Sequence, residues 1–205
     1  VPYTGDRSVK DLIESLGVPH TEVDLLLVNG QSVPFEHLVT DGDRVAVYPM
    51  FESLNIAPAS RLLRPPLRNP RFVADVHLGK LARRLRLLGF DCLYSIEWDD
   101  PQLARISARD RRVLLTRDRG LLMRAAVTHG ILVRYDHVRD QLRQVVRRLD
   151  LAALAKPLAR CSTCNGALRE VPKRSVQRDV PPKTYLHTHE FLRCRECAKV
   201  YWKGT

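Results

Sequence analysis

Residues 71–96 read RFVADVHLGKLARRLRLLGFDCLYSI, and this stretch decides the fold class. The segment 71–78 predicts a short apolar strand that ends in polar residues, and 79–89 predicts a helix because its leucines recur at helical spacing. The segment 91–96 predicts a second strand. A strand, a helix and a strand in this order are typical of a parallel β-α-β unit.

The same alternation continues along the chain. Asp99 and Asp100 are expected to cap the next helix. The segments that follow predict a buried apolar strand, a helix, a strand and a last helix, over 112–118, 119–130, 131–136 and 138–149. Four such alternations predict an α/β domain over 71–155, with a parallel sheet and helices on both of its faces.

Aspartates are expected at one edge of this sheet. Asp75, Asp118 and Asp136 follow strands, and Asp99 and Asp100 begin a helix on the same side. The carboxyl ends of parallel strands share an edge, so these side chains should converge. Converging carboxylates raise one another's pKa unless a cation binds between them, and Mg²⁺ or Mn²⁺ prefers oxygen ligands. Two such ions can promote hydrolysis of a phosphodiester.

Each of these aspartates also has a purely structural interpretation. Asp99 or Asp100 can serve only as an N-cap. Asp118 can pair with Arg117 or cap the next helix, and Asp136 can simply open a turn. Three carboxylates at matching strand ends favour the metal site, because functional carboxylates cluster.

Charge divides the chain into two parts of opposite sign. The 205 residues carry a formal net charge of +11, yet residues 1–57 hold nine acidic and three basic side chains, whereas 58–205 hold 31 basic and 14 acidic ones. The basic part predicts a polyanionic partner, most often nucleic acid, and the acidic part predicts a protein partner of its own or a docking role. No apolar run approaches the roughly 18 residues that span a bilayer, so no membrane association is expected.

The acidic first part has the pattern of a small module over 1–57. The pattern predicts a helix from Val9 to Gly17, a hairpin that turns at Asn29-Gly30, and a strand over 44–48. This order resembles an incomplete, N-terminally trimmed ubiquitin-like β-grasp of the sulfur-carrier type. No Gly-Gly ends the last strand, which removes carrier chemistry and favours docking. Four prolines over 53–70 predict a linker, placed at 58–70.

Four of the five cysteines form two C-x-x-C pairs near the end of the chain. They are Cys161 with Cys164 and Cys194 with Cys197. Two such pairs can complete a tetrahedral Zn²⁺ site, which predicts a structural zinc ribbon over 156–205 with a longer β insertion between the pairs. A redox dithiol is the alternative, and His187 or His189 could substitute as ligands. Metal-binding thiols indicate a reducing compartment and hence a cytoplasmic location.

Three strings carry a specific resemblance: FVADVHLGKLARRLRLLGFDCLY (72–94), DDPQLARISARDRRVLLTRDRGLL (99–122) and DQL (140–142). They resemble the C-terminal RNase family named after the silencing factor Mut-seven, whose members are PIN-like nucleases followed by a zinc ribbon. Bacterial members often carry the ubiquitin-like module in front, so the resemblance covers essentially the whole chain and implies a bacterial ribonuclease.

The family pattern also implies site residues. Asp75, Asp100 and Asp118 match its acidic positions, whereas Asp99 and Asp136 match less well. Basic companions for the scissile phosphate are Lys80, Arg83 and Arg117.

Further basic side chains suit single-stranded RNA. On the helix 79–89, Lys80, Arg83, Arg84 and Arg86 lie off the apolar stripe. Lys173 and Arg174 lie between the cysteine pairs, and Tyr185 and Phe191 follow, so that aromatic rings could stack bases while cations hold phosphates. A solvated ribbon with its own small core explains the same residues equally well.

Three functions therefore follow from the sequence. The first is a Mg²⁺- or Mn²⁺-dependent ribonuclease whose ribbon and basic helix hold RNA. The second is a non-catalytic RNA-binding adaptor in which the PIN-like domain is a scaffold. The third is a sulfur-transfer accessory protein, which the missing Gly-Gly argues against.

Overall fold

The structure is a computed structural model that describes residues 7–49, 60–62 and 69–203. In chain order its elements are α1 (Val9–Ser15), β1 (Val23–Val28), β2 (Gln31–Ser32), β3 (Val45–Pro49), β4 (Phe72–Ala74), α2 (Gly79–Leu87), β5 (Cys92–Tyr94), α3 (Asp100–Asp110), β6 (Val113–Thr116), α4 (Arg119–Leu122), β7 (Gly130–Leu132), α5 (Val138–Arg148), β8 (Leu168–Val171), α6 (Pro182–His187), β9 (Phe191–Cys194) and β10 (Val200–Trp202). Most of the linker predicted at 58–70 lies outside the described residues. None of the described helices is long and apolar enough to cross a membrane.

A four-stranded parallel sheet forms the centre of the middle domain, in the order β5-β4-β6-β7. Alternate side chains of each strand enter different cores, because successive residues of a strand point to opposite faces. Phe72 and Leu115 pack with α2 and α5 on one face, whereas Val73 and Leu114 pack with α3 and α4 on the other. The predicted α/β sheet with helices on both faces is therefore confirmed.

The predicted strands of this domain are all shorter in the structure, and the largest differences from the sequence pattern are at β4 and α4. The strand predicted over 71–78 stops at Ala74, because the Asp75 carboxylate accepts a hydrogen bond from the His77 amide and opens a 3₁₀ turn over Val76–Leu78. The helix predicted over 119–130 ends after one turn, at Leu122. Val127, which the prediction places in this helix, is buried outside any helix instead.

The first module has a three-stranded sheet in the order β2-β1-β3, packed against α1. Ser8 caps α1 by accepting a hydrogen bond from the Asp11 amide, as the pattern predicts. Asn29 and Gly30 both have positive φ, at 51° and 82°, which is the conformation of a two-residue hairpin turn of type I′. The ubiquitin-like pattern is confirmed over these residues.

A buried glutamate fastens this module to the edge strand of the parallel sheet. Glu22 is 5% exposed; its carboxylate accepts the Leu132 amide at 3.0 Å and lies 3.2 Å from the Arg134 guanidinium and 3.8 Å from that of Arg148. The His20 ring donates from Nε2 to the Val127 carbonyl at 3.0 Å. The first module thus covers the free edge of β7.

The ribbon at the end of the chain is a three-stranded antiparallel sheet in the order β10-β9-β8. The β insertion predicted between the cysteine pairs is only partly present as β structure. The strand β8 and most of β9 lie between the pairs, but the segment that joins them is helical, with a 3₁₀ turn over Lys173–Val176 and the helix α6. Pro172, Pro181 and Pro182 explain this, since proline cannot donate to a β ladder but fits the first turn of a helix.

Buried charges join the ribbon to the sheet. Arg86 is only 5% exposed although the sequence places it off the apolar stripe; it donates to the carbonyls of Cys92 and Thr163 at 2.8 Å each. The Asp91 carboxylate accepts from Arg112 and from the Asn165 amide, also at 2.8 Å each. The first cysteine turn is therefore held against β5 by paired polar groups.

Replacing Glu22 with Ala should weaken the docking of the first module. The change leaves the buried Leu132 amide without an acceptor, which costs about 1–3 kcal/mol. We expect that loss in the free energy of unfolding measured by denaturant titration, together with faster proteolysis between the modules. Glu36→Ala removes an exposed acid from the same module and should change neither quantity by more than about 0.5 kcal/mol. Equal effects of the two variants would show that Glu22 does not fasten the module.

Asp91 should make the fold sensitive to acid. Burial opposes ionisation of Asp91, but hydrogen bonds from Arg112 and Asn165 outweigh it and lower the pKa of this carboxyl below its ordinary value of 3.8. A carboxyl with a depressed pKa stabilises the folded state above about pH 3.8, and the contribution disappears as the pH falls through the folded-state pKa. Unfolding free energies measured across this range should therefore fall less in Asp91→Asn than in the wild type. The exposed-site control Asp150→Asn should keep the wild-type slope.

Candidate functional site

One threonine links two of the predicted site aspartates. The Thr116 hydroxyl donates to Asp75 Oδ2 at 2.7 Å and accepts the Asp118 amide at 2.9 Å. Thr116 is fully buried at the end of β6, and Asp75, at the end of the neighbouring strand β4, is 6% exposed. The parallel register brings these two strand ends together, so Asp75 and Asp118 lie at one edge of the sheet.

The two carboxylates differ in how much of them remains accessible. Asp118 is exposed and accepts the Gly120 amide on Oδ1 at 2.7 Å, so it caps α4; its Oδ2 has no hydrogen-bond partner among the described residues. Asp75 uses Oδ2 for Thr116 and holds the His77 amide weakly at 3.4 Å on Oδ1. Each aspartate keeps an oxygen that a cation could take at little cost.

The other aspartates are placed differently. Asp99 is the N-cap of α3 in a capping box with Gln102, so its carboxylate serves the helix start. Asp100 is the first residue of α3, half-buried, and makes no side-chain hydrogen bond to another described residue. Asp136 pairs with Arg117 at 2.6 Å, so Arg117 does not pair with Asp118.

A cleft beside this edge gathers the predicted basic companions. It has a volume of about 620 Å³, and its charged lining includes Lys80, Arg83, Arg117 and Asp136. The remaining lining residues are Val76, His77, Gly79, Tyr94, His137, Val138 and Gln141. Three cations against one carboxylate favour binding of an anionic group such as a phosphate.

The predicted acidic trio does not itself line the cleft. Asp75 and Asp118 are neighbours in sequence of the lining residues Val76 and Arg117. Asp100 follows β5 and therefore lies at the same edge of the sheet.

Other predicted RNA contacts do not line the cleft. Arg84 and Arg174 are exposed, and the Lys173 ammonium lies 4.9 Å from the centre of the Tyr185 ring. Tyr185 stacks on the buried Phe191 at 6.5 Å and belongs to the small core of the ribbon. These rings pack inside the ribbon, which fits the structural interpretation of the aromatic residues.

Sequence reasoning missed residues that complete the site. Thr116 is the polar last residue of an otherwise apolar strand. A polar residue at a strand end next to Asp118 could have been predicted from the sequence as part of the site. His77, Tyr94 and His137 line the cleft, but only the folded chain brings them together. Gly79 leaves room for Tyr94, since a Cβ at this position would lie 2.7 Å from the phenol ring.

The four cysteine sulfurs form a compact cluster. All four Sγ atoms lie within 4.8 Å of one another, and Cys161 is 3.6 Å from Cys197 while Cys164 is 3.4 Å from Cys194. Four sulfurs at about 2.3 Å from a tetrahedral zinc lie about 3.8 Å apart, so the cluster fits that ion with little movement. Among the described residues, no other group of at least three His, Cys, Asp or Glu side chains is as compact.

Hydrogen bonds favour the thiolate of Cys161. Burial raises the pKa of this thiol, but hydrogen bonds from the Tyr201 hydroxyl and from the amides of Cys164 and Thr163 outweigh burial and lower it to about 6. The Tyr201 hydroxyl lies 3.0 Å from Cys161 Sγ. A metal ligand must be deprotonated, so the hydrogen bonds at Cys161 suit metal binding. Burial and contacts with the other cysteines act in the opposite direction at Cys164 and raise its pKa to about 12. Cys92 is buried in β5, and burial raises its pKa to about 12.

His187 and His189 are both exposed. Neither belongs to the compact cluster, whose members are the four cysteines alone.

Comparison with known proteins places both parts of the chain in families. A family model described as "Mut7-C RNAse domain" matches residues 70–205, and one described as "Mut7-C ubiquitin" matches residues 1–55. Searches of curated proteins and of solved structures gave no match.

The cysteine cluster should hold one zinc ion per chain. Replacing Cys161 with Ser should release the metal and unfold the chain from about residue 160 onward, because metal binding is folding energy for a domain with so small a core. Metal content and two-dimensional NMR spectra measure both effects. Cys92→Ala, which changes the one cysteine outside the cluster, should keep the zinc. A metal-free wild type with an unchanged ribbon spectrum would contradict the assignment.

Proposed function

The chain belongs to the Mut7-C RNase family, and from this premise we propose that it is a metal-dependent ribonuclease that hydrolyses RNA phosphodiesters. Family membership indicates a nuclease-type activity, and the metal, the substrate and the site residues are our proposals. The observation that supports them best is the Thr116 hydroxyl, which holds Asp75 and Asp118 at one strand edge next to a basic cleft.

The donor set suits a hard divalent cation. We assign Asp75, Asp100 and Asp118 as ligands, since carboxylate oxygens are preferred by Mg²⁺ and Mn²⁺. The ligand atoms of these three side chains do not all lie within 4.8 Å of one another, so a single shared ion would need the side chains to move closer, and we assign one or two ions to the site. When bound, such ions supply an activated water and stabilise the leaving oxygen.

The side chains around the cleft have a separate task. Lys80, Arg83 and Arg117 neutralise the phosphate and orient it towards the acidic edge. Arg117 is held at 2.6 Å by Asp136, which limits its motion. Thr116 keeps Asp75 in one rotamer by a buried hydrogen bond, so the carboxylate needs little reorganisation when the substrate arrives.

The remaining parts support this site. The proposed division is a ubiquitin-like module over 1–57, a linker over 58–70, the PIN-like domain over 71–155 and a ribbon over 156–205. The ribbon adds Lys173 and Arg174, and the helix α2 adds Arg84, as further contacts to RNA. The ubiquitin-like module offers an acidic surface to a protein partner, and the reduced thiols suit a cytoplasmic enzyme.

An RNA-binding adaptor without catalysis is the competing function. It is favoured by the structural roles that Asp75 and Asp118 already have, as the partner of Thr116 and as the cap of α4. The two functions predict different effects when one carboxylate charge is removed. In a nuclease, RNA cleavage falls while RNA binding remains, whereas an adaptor shows no such separation.

Replacing Asp118 with Asn tests this difference. Asn retains an oxygen for the Gly120 amide, so α4 keeps its cap, but it loses the charge that would hold a metal ion. A metal ion contributes several kcal/mol to the transition state, so cleavage of RNA with Mg²⁺ or Mn²⁺ should fall at least about 100-fold. RNA affinity should stay the same or rise, because an anion that faces phosphates has been removed.

The matched control is Asp99→Asn, which keeps a good N-cap on α3 and should cleave at the wild-type rate. Asp75→Asn should behave like Asp118→Asn. Wild-type cleavage by both the Asp75 and Asp118 variants would refute the site, and a wild type that binds RNA but never cleaves it would establish the adaptor.

A further inference from the structure

The helix α5 carries arginines at every fourth position. Arg139, Arg143 and Arg147 are all exposed and lie along one side of the helix, about 6 Å apart per step and about 12 Å from first to last. Like charges four residues apart destabilise a helix by about 0.2–0.5 kcal/mol per pair unless a counter-charge lies nearby. The stripe therefore lowers the stability of α5 by itself.

Acidic side chains of the described residues neutralise little of this positive charge. Arg143 pairs with Asp140 at 2.6 Å, but Arg139 and Arg147 form no ion pair with any other described residue. By contrast, Arg148 on the same helix is half-buried and contacts Glu22 of the first module. Arg148 holds the two modules together, whereas Arg139 and Arg147 face solvent.

A groove of about 540 Å³ lies along the end of this stripe. Its lining residues are Pro49, Tyr135, Asp140, Arg143, Gln144, Arg147 and Arg148. The Tyr135 side chain is 52% exposed, and Pro49 is the last residue of β3, so the first module supplies one wall of the groove. Exposed aromatic rings among cations are the composition that binds single-stranded nucleic acid, because bases stack while phosphates pair with the cations.

The groove and the cleft beside the acidic edge both lie against α5. His137, Val138 and Gln141, at the start of α5, line the cleft that contains Lys80 and Arg117. The arginine stripe begins at Arg139, directly after Val138, and continues towards the end of the helix. A flexible polyanion held in the cleft could therefore reach the groove along α5.

We propose that α5, Tyr135 and the wall at Pro49 form a second binding site for the RNA strand, which holds the nucleotides beyond those in the cleft. This inference rests on the proposed function, since it takes RNA as the substrate. Arg143 and Arg147 hold phosphates and Tyr135 stacks a base. The ubiquitin-like module thereby contributes to substrate length preference.

The test compares two oligonucleotide lengths. Fluorescent single-stranded RNAs of about 4 and about 16 nucleotides, the range of site sizes for single-strand binding, are titrated against the full chain carrying Asp75→Asn and Asp118→Asn. Adding Arg143→Gln and Arg147→Gln should weaken binding of the longer RNA at least tenfold and leave the shorter one unchanged. Each lost phosphate contact lowers the slope of log affinity against log salt by about 0.7, so the slope should fall by about 1.4.

The matched control is Arg105→Gln with Arg124→Gln. These arginines are also exposed, the pair removes the same charge, and Arg105 lies on α3, which packs on the other face of the sheet. The control should affect both RNA lengths equally and weakly. Tyr135→Ala should weaken binding of the longer RNA at least about fivefold. Tyr135→Phe should bind it with wild-type affinity, because the aromatic ring alone is needed to stack on a base.

Two outcomes would overturn the second binding site. If the control pair weakens binding of the longer RNA as much as the α5 pair does, the loss of affinity is caused by overall charge and not by a local binding site. An equal loss of affinity for both RNA lengths would show that the two arginines bind RNA in the cleft or are needed for folding. Thermal unfolding of the variants distinguishes these two explanations. Failure of the nuclease proposal is seen separately, as absence of cleavage of either RNA by the chain with Asp75 and Asp118 intact.

Discussion

The half-buried carboxylate of Asp91 holds three separate parts of the chain in one arrangement. It accepts from Arg112 at the start of β6 and from Asn165 in the first cysteine turn, and it precedes the edge strand β5. A carboxylate away from water must be paired, so each partner has to stay where it is. Arg86 adds bonds from α2 to the backbone of the same cysteine turn. The ribbon is therefore a fixed part of the domain, and its cysteine cluster lies next to these contacts.

The opposite edge of the sheet has fewer polar contacts, and it holds the candidate functional site. Asp118 is exposed and Asp75 is held by one hydroxyl, while three cations collect in the adjoining cleft. Carboxylates next to arginines that do not pair with them leave room for a metal ion and an anionic substrate together. The contrast with Asp91, whose charge is fully used by its neighbours, separates a structural acid from a candidate functional one.

The acidic first module interacts electrostatically with the basic middle domain. Its sequence shows only a surplus of negative charge, but the structure places one acid, Glu22, against Arg134 and Arg148. Arg139 and Arg147, earlier in α5, remain exposed to solvent. The module thus neutralises positive charge at the edge strand β7 and borders the groove with Pro49. Its docking also covers the unpaired backbone of that strand, since the Leu132 amide finds its acceptor in Glu22.

The sequence by itself determined the repeating strands and helices, the two families of the chain and the pairing of cysteines into one cluster, because periodicity, turn residues and C-x-x-C spacing are local properties. The lengths of β4 and α4 escaped it, since Asp75 ends the strand with a side-chain bond and Val127 is buried outside any helix. Only the tertiary structure decided that Arg86 is buried, that Thr116 joins two aspartates and that Glu22 docks a module. Those contacts join residues between about 40 and 110 positions apart, or depend on which side of a helix finds a polar partner, and no local pattern records such distances.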